Sequence, residues 1–413
     1  MDILKQTLQK YKPTLKQRNL LHKQITAVLK LIQEELTKKK LKAQVLLGGS
    51  AAKGTFIKDD FDCDIFIRFD YEEYKQKDIS AFTETILTGF KPKRVHGSRD
   101  YFQFAYQGIN YEIIPVLYVT NPKKALNVTD MSPSHIDWVQ KHMSSALRDE
   151  VLLAKLFCKA QTLYGAESYI NGFSGHVLDI LIIYYGSFLK LLKASLTWNL
   201  YDIIDVEKHH TAQSLNESKI APLILIDPVQ PERNAAAALS KEKFLLFKGR
   251  ASAFLKKPSL LFFTKKKLSL SLLKRKAGRN TLFVFEVLGA ENKEDVVGTK
   301  ILKVFEHYTT ELEKYDFTLL NLGWEFDKKR KAIFWYIIQK GTLTKTFERI
   351  GPPLSKKQGV KEFTMKYNHY QIRNERLYAH VVRKYRTPDT LFKDLIKDAY
   401  TRERVIRVKK VEV

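Results

Sequence analysis

Hydrophobic positions recur along this chain in two alternating periods. Leu15, Leu20, Leu21, Ile25, Val28, Leu29, Ile32 and Leu36 fall at helical spacing, with Pro13 near the start and lysines 38–40 at the end, which predicts a helix over 14–40. A short apolar run, Val45 to Leu47, then meets Gly48 and Gly49, and a second run, Ile65-Phe66-Ile67, follows. Helix is predicted over 71–90, polar strand-like sequence over 91–104, and strand over 109–118. Ser132 opens a helix to His142, and an amphipathic helix spans 147–164 with Leu147, Val151, Leu152, Leu156 and Phe157 inward. Residues 176–192 are apolar nearly all round, which predicts a buried spine; Asp179, Gly186 and Lys190 argue against a membrane anchor. After Asp227-Pro228, a loop reaches Arg233-Asn234, and the alanines 235–238 are expected to open a helix. Strands are predicted over 281–288, 317–326 and 332–339 around a helix near 297–314, then a strand over 376–385 and a helix over 387–400. This alternation reads as a compact α+β, ferredoxin-like domain.

The length, 413 residues, accommodates two to four domains, and 44% apolar content is ordinary for globular proteins. No apolar stretch is long enough to span a bilayer, and the N-terminus lacks the apolar core of a signal peptide. Cys63 and Cys158 are the only cysteines, which excludes a disulfide framework and a four-cysteine zinc site and points to a reduced, cytoplasmic protein. A formal charge of +26 changes the picture more, because a surplus that large favours a polyanionic partner, nucleic acid first. Between Lys243 and Phe285 there are twelve basic residues and no acidic one. Lys265, Lys266 and Lys267 stand there among Phe254, Phe262 and Phe263, a pattern suited to tracking a phosphate backbone.

The chemistry concentrates in residues 48–70. On a strand, Asp62 and Asp64 project from one face, and two carboxylates there can share hard divalent cations such as magnesium. Upstream, the glycines let the backbone approach a phosphate, Ser50 offers a hydroxyl and Lys53 a positive charge. Asp-X-Asp alone is common as a pair of solvated acids; the glycine-serine turn before it and the apolar strand after it favour a triphosphate clamp beside a metal platform. Two-metal sites usually need a third ligand from a neighbouring strand. Glu112, the one acid in the run Ile109 to Tyr118, supplies it, since a lone carboxylate in such a strand is costly unless paired or metal-bound.

Gly49-Ser50, Lys53 and Asp62-X-Asp64 resemble the nucleotidyltransferase superfamily that includes DNA polymerase beta. With Glu112-Ile-Ile-Pro115, Ser132-Pro133-X-His135, Tyr164-Gly-Ala-Glu167, Gly172-Phe-Ser-Gly175, Asp227-Pro-Val, Arg233-Asn234, Pro258-Ser-Leu and Gly351-Pro-Pro, the chain resembles the archaeal, class I, CCA-adding enzymes over most of its length. That family usually has aspartate where this chain has Glu112. The resemblance implies a multidomain α+β protein: a polymerase beta-like catalytic head (1–134), a mainly helical neck contributing nucleotide contacts (135–256), and an α+β RNA-binding body with a short tail (257–413). It implies template-independent addition of CCA to tRNA from CTP and ATP. Asp62, Asp64 and Glu112 would hold two magnesium ions. Gly49, Ser50, Lys53, His135, Lys155 and Tyr164 would secure the triphosphate, with His96 and Arg99 loosely matched nearby, and Arg233 would read the base edge. The basic surface, Lys265 to Lys267 included, would grip the acceptor stem and T-arm by shape; a homodimer is compatible with this reading. A poly(A) polymerase or oligoadenylate synthetase would share the metal site, and a non-catalytic double-stranded RNA-binding protein would share the charge but has no use for three intact carboxylates. The class II CCA enzymes are disfavoured, because no Arg-Arg-Asp follows the Asp pair.

Overall fold

The structure is a computed structural model describing residues 2–412 except 59, 61, 98, 266 and 267. Two of the expected RNA contacts, Lys266 and Lys267, lie outside the described residues. The chain divides into two compact units, residues 1–266 and 267–413.

In the first unit α1 (Ile3–Tyr11) precedes α2 (Leu15–Lys38), whose start is fixed by a reciprocal capping box between Thr14 and Gln17. There follow β1 (Ala43–Leu47), α3 (Gly49–Lys53), β2 (Cys63–Phe69), α4 (Tyr71–Tyr74), α5 (Ile79–Ile86), β3 (Lys93–Val95), β4 (Tyr101–Tyr106) and β5 (Ile109–Leu117). The sheet order is β1-β2-β5-β4-β3, with β2 and β5 parallel at its centre. Alternation along β2 sends Cys63, Ile65, Ile67 and Phe69 into a core with Ile25, Val28, Ile32 and Leu36 of α2. Phe66 faces the other way, joining Val116 and Ile136 in a separate cluster. Asp64, two residues from Phe66, therefore belongs to the face turned from α2.

On that second face α6 (Ser132–His142) packs through Ile136, and a helical layer with its own core follows: α7 (Ser145–Ala160), α8 (Gly175–Tyr185), α9 (Phe188–Ser195), a small parallel pair β6 (Asp202–Ile204) and β7 (Leu223–Leu225), and α10 (Lys241–Lys256). Its core centres on buried aromatic rings; Phe157 packs against Phe188, Phe247, Phe254, Phe262 and Phe263. No helix among the described residues is long and apolar enough to cross a membrane.

Several predicted helices are interrupted, each by a local cap. The expected 71–90 helix breaks before α5, where the Asp78 carboxylate accepts from Ser80 and Ala81 N–H. The expected 176–192 helix breaks at Gly186, φ 79°, and Ser187 caps α9. The 147–164 helix ends at Ala160, so Tyr164 lies beyond it, in a bridge to Phe173. The alanines after Arg233 form a turn, not a helix; α10 begins only at Lys241, capped by Ser240.

The second unit contains α11 (Leu270–Ala277), β8 (Thr281–Gly289), α12 (Glu294–Lys314), β9 (Leu319–Phe326), β10 (Lys331–Ile338), β11 (Thr346–Pro353), α13 (Lys357–Lys366), β12 (Tyr370–Arg373), β13 (Arg376–Val382), α14 (Pro388–Leu395), α15 (Ala399–Arg402) and β14 (Val405–Val411). Strands β14-β8-β10-β9 form one antiparallel sheet. Taken in chain order, β8-α12-β9-β10-α14-β14 is the ferredoxin-like arrangement, with β11 to β13 inserted as a separate three-stranded sheet. The basic ending, read from sequence as a tail, is the edge strand β14.

Candidate active site

The carboxylates are brought together by strand register. Asp64 and Glu112 are paired neighbours on β2 and β5, and Asp62 stands, exposed, one residue before β2. Gln103 on β4 donates to Glu112 Oε1 at 2.5 Å and fixes its reach. Gly48 N–H donates to the Asp64 carbonyl at 2.7 Å, which presses the turn onto the strand. Gly49 has φ +55°, and a Cβ there would stand 1.6 Å from Asp64 Oδ2, so any side chain would be strained and would displace that carboxylate. Burial, then the charges of Glu112 and Asp62, push the Asp64 carboxyl up to about 7. Such a surplus of negative charge, on hard oxygen donors, fits a divalent cation.

Within electrostatic reach of Asp64 lies a group built around Lys53 and Lys155 from three elements. Lys53 closes α3 and is ion-paired with Asp179 of α8, a carboxylate with no exposed surface whose second oxygen has no hydrogen-bond partner among the described residues. Lys155 of α7 is 3% exposed and donates to the Thr55 hydroxyl at 2.9 Å and its carbonyl at 3.3 Å. Burial lowers the Lys155 ammonium to about 8, against the opposing charge of Asp179. Gly175 lets Tyr164 join this group: a Cβ there would lie 3.0 Å from the Tyr164 hydroxyl and 3.7 Å from Lys155 Cε. Ser50 occupies α3 beside these residues.

A third group gathers on Asp227, which is fully buried. Its Oδ1 accepts from His135 Nε2 at 2.9 Å and from the N–H groups of Val229 and Gln230 at 2.9 and 3.0 Å. Its Oδ2 accepts from Arg233 Nη1 at 2.6 Å and faces His176 Nε2 at 3.7 Å, too far for a hydrogen bond. Burial alone would raise this carboxyl, but the His135 bond and the nearby His176 ring hold it well below the usual carboxylate range. The donor atoms of His135, His176 and Asp227 lie within 4.8 Å of one another, a spacing that would suit a metal. With a guanidinium and two peptide N–H groups already on the Asp227 oxygens, we read the group as a hydrogen-bonded hub and not a cation cage.

The structure thus brings Asp62, Asp64, Glu112, Gly49, Ser50, Lys53, Lys155 and Tyr164 together, and joins His135 to Arg233 through Asp227. Of the loosely matched pair, Arg99 is committed to the buried Asp130 and His96, largely exposed, lies 3.1 Å from Asp100. Asp179, Asp227 and His176 escaped the sequence reading as site residues. Asp179 carried the signal that singled out Glu112, a carboxylate in an apolar run.

Glycine turn, paired strands and carboxylates define a nucleotidyltransferase domain, and residues 29–121 match the family described by that name. Residues 149–264 match "tRNA nucleotidyltransferase, second domain" and residues 280–403 "CCA-adding enzyme, C-terminal domain". The CCA-adding enzyme of Nanoarchaeum equitans is 36% identical over 81% of this chain and 83% of its own length. That of Methanocaldococcus jannaschii is 30% identical over 96% and 90%. A solved cytoplasmic RNA terminal U-transferase overlays on 65% of this chain and 99% of its own with a TM-score of 0.48 at 12% identity, too distant to bear on function. The chain belongs to the CCA-adding enzyme family.

Proposed function

We propose that this protein adds C, C and A in turn to the 3′ end of tRNA, without a nucleic-acid template, from CTP and ATP. The RNA 3′-oxygen bonds to the α-phosphorus, the bond from that phosphorus to the β-phosphate bridging oxygen breaks, pyrophosphate leaves, and the hydroxyl proton passes to solvent water. Two magnesium ions held by Asp62, Asp64 and Glu112 would supply Lewis-acid activation of the hydroxyl and neutralise charge on the leaving group. The observation that carries the reading is the Asp64–Glu112 pair in register on parallel strands, with the Gly48-Gly49 turn against it, in a chain of this family.

The side chains divide the remaining work. Ser50, Lys53, His135, Lys155 and Tyr164 hold the triphosphate, and Lys53 exchanges Asp179 for phosphate oxygen as the nucleotide binds. Arg233 presents a planar fork of donors to cytosine O2 and N3 or adenine N1, where uracil offers an N–H instead. Segments 1–134 and 135–256 act as head and neck around this site, and 257–413 as the RNA-binding body. Lys274, Arg275 and Lys276, exposed on α11, support that body's role in gripping the acceptor stem and T-arm. A cytoplasmic location follows from the substrate.

The test is an extension assay with magnesium and a tRNA ending at its discriminator base. Two additions with CTP alone and a third when ATP joins it are expected. Untemplated A-tailing without CTP use would make this a poly(A) polymerase, and no addition would leave only RNA binding.

A further inference from the structure

The triphosphate contact and the base reader come from different parts of the chain, yet both end on one carboxylate. His135 belongs to α6 and Arg233 to the loop after β7, and Asp227 takes His135 on Oδ1 and Arg233 on Oδ2. The loop itself is closed around the same residue: Asp227 N–H donates to the Arg233 carbonyl at 3.0 Å, and Val229 and Gln230 donate back to Oδ1. Arg233 keeps 37% of its side chain exposed, so one nitrogen is tied down while the rest of the fork faces out.

We propose that Asp227 is a positioning residue that holds His135 and Arg233 in one frame, so that the distance from triphosphate to base edge is set by a single buried carboxylate. The inference rests on the reading of Arg233 as the base-selecting group. Without a template, selection between pyrimidines depends on where the guanidinium stands relative to a base whose triphosphate is anchored elsewhere. A free arginine side chain would sample many rotamers and could turn to either the cytosine or the uracil edge. Bound to Asp227 it presents a fixed donor edge, and the anchor is shared with the group that holds the phosphates.

The chemistry of the hub gives a variant that separates positioning from folding. Oδ1 receives three donors and must stay an acceptor, so in Asp227→Asn the amide oxygen takes that place. His135 and the two peptide N–H groups keep their bonds, while the amide –NH2 replaces Oδ2 and confronts Arg233 Nη1, donor against donor. Asp227→Asn therefore releases Arg233 alone. The expected result is a fall of about tenfold or more in the CTP-to-UTP ratio of kcat/KM, the scale of losing a charged hydrogen bond.

The experiment measures first-nucleotide addition to a trimmed tRNA with CTP and UTP for wild type, Asp227→Asn, Asp227→Glu, Arg233→Ala and the Asp227→Asn/Arg233→Ala double variant. Melting curves establish folding. If Asp227 acts through Arg233, Asp227→Asn and Arg233→Ala each lower the ratio and the double variant falls no further. A wild-type ratio in Asp227→Asn, with Arg233→Ala impaired, overturns the inference and leaves the reading of Arg233 standing. Additive losses overturn it as well. A wild-type ratio in Arg233→Ala removes the premise, and both readings fall together. If neither Asp227→Asn nor Asp227→Glu folds, Asp227 is a structural residue and the inference is wrong.

Discussion

Raising the pH from 7 to 9 should weaken nucleotide capture by removing one proton. Lys155 is buried, and desolvation has brought its ammonium down to about 8, a range where ordinary lysines stay fully charged. Its protonated fraction falls from about nine-tenths at pH 7 to about one-tenth at pH 9, so kcat/KM for CTP should drop about tenfold across that interval. The sign is set by the role: the charged form attracts triphosphate, and the neutral form does not. Because kcat/KM reports the free enzyme, the midpoint of the falling limb should lie near 8. At saturating CTP the limb should retreat to higher pH, since bound phosphate oxygens themselves favour the proton.

Two variants separate Lys155 from every other group titrating there. Lys155→Arg carries a charge that persists far above this range, so its limb should vanish. Asp179→Asn should move the limb to lower pH, because the Asp179 charge supports protonated Lys155 against burial. The assay is single-turnover CTP addition to a trimmed tRNA over pH 6.5 to 9.5, a span chosen to bracket about 8. An unchanged limb in Lys155→Arg, or an upward shift in Asp179→Asn, would falsify this account of the cradle.

Other outcomes follow from the carboxylates and the charge. In metal-free protein Asp64 titrates near 7 against 3.8 for a free side chain, so the folded state binds more protons than the unfolded state between those values and loses stability as pH rises through them. Asp64→Asn should therefore abolish transfer yet stabilise EDTA-treated protein at pH 8 by about 2–4 kcal/mol, with no gain at pH 4; equal urea midpoints at pH 8 would refute it. Glu112→Asp should retain activity, whereas Glu112→Ala should cost about a hundredfold or more in kcat; a fully active Ala variant would point to Asp60 as the third ligand. Gly49→Ala should fold but lose activity, because its Cβ would displace the Asp64 carboxylate that now lies 1.6 Å from that point; wild-type turnover would disprove the close approach. Affinity for tRNA should fall steeply with salt, and replacing Lys274, Arg275 and Lys276 by glutamine should reduce the log–log slope by about one for each phosphate no longer neutralised; an unaltered slope would make α11 a solvated face.

What was legible in the sequence was local. Period-two alternation puts Asp62 and Asp64 on one strand face; in the structure β2 begins at Cys63, so Asp64 lies opposite Cys63, Ile65 and Ile67 while Asp62 stands just outside the strand. The ferredoxin-like unit emerges from its alternation of strand and helix; of the sheet inserted between β10 and α14, β13 falls within the strand expected over 376–385, whereas β11 and β12 are largely exposed strands with little apolar periodicity. Helix breaks were less legible, since a single Asp78, Gly186 or Ser187 outweighs a continuing apolar pattern. The alanines after Arg233 show why propensity misled. Asn234, 1% exposed, accepts from the N–H groups of Leu225 and Ala236 and donates to the carbonyls of Lys219 and Leu223. Those bonds hold the segment as a turn against β7, and four alanines have no side chains with which to oppose them.

The site was half legible for a related reason. A carboxylate within an apolar run announces that it has a partner, because burying it alone is too costly. That inference found Glu112, and it applied with equal force to Asp179 in the apolar helix and to Asp227 after Leu225-Ile226. It cannot say who the partner is. Lys53 is 126 residues from Asp179, and His135 is 92 from Asp227, so neither pairing exists until sheet and helices have packed. The residues proposed to touch substrate reveal themselves by motif, whereas the part of Asp179, and of Asp227 within its Asp227-Pro-Val motif, shows only in what the fold carries to their oxygens, Lys53 to one and His135 and Arg233 to the other.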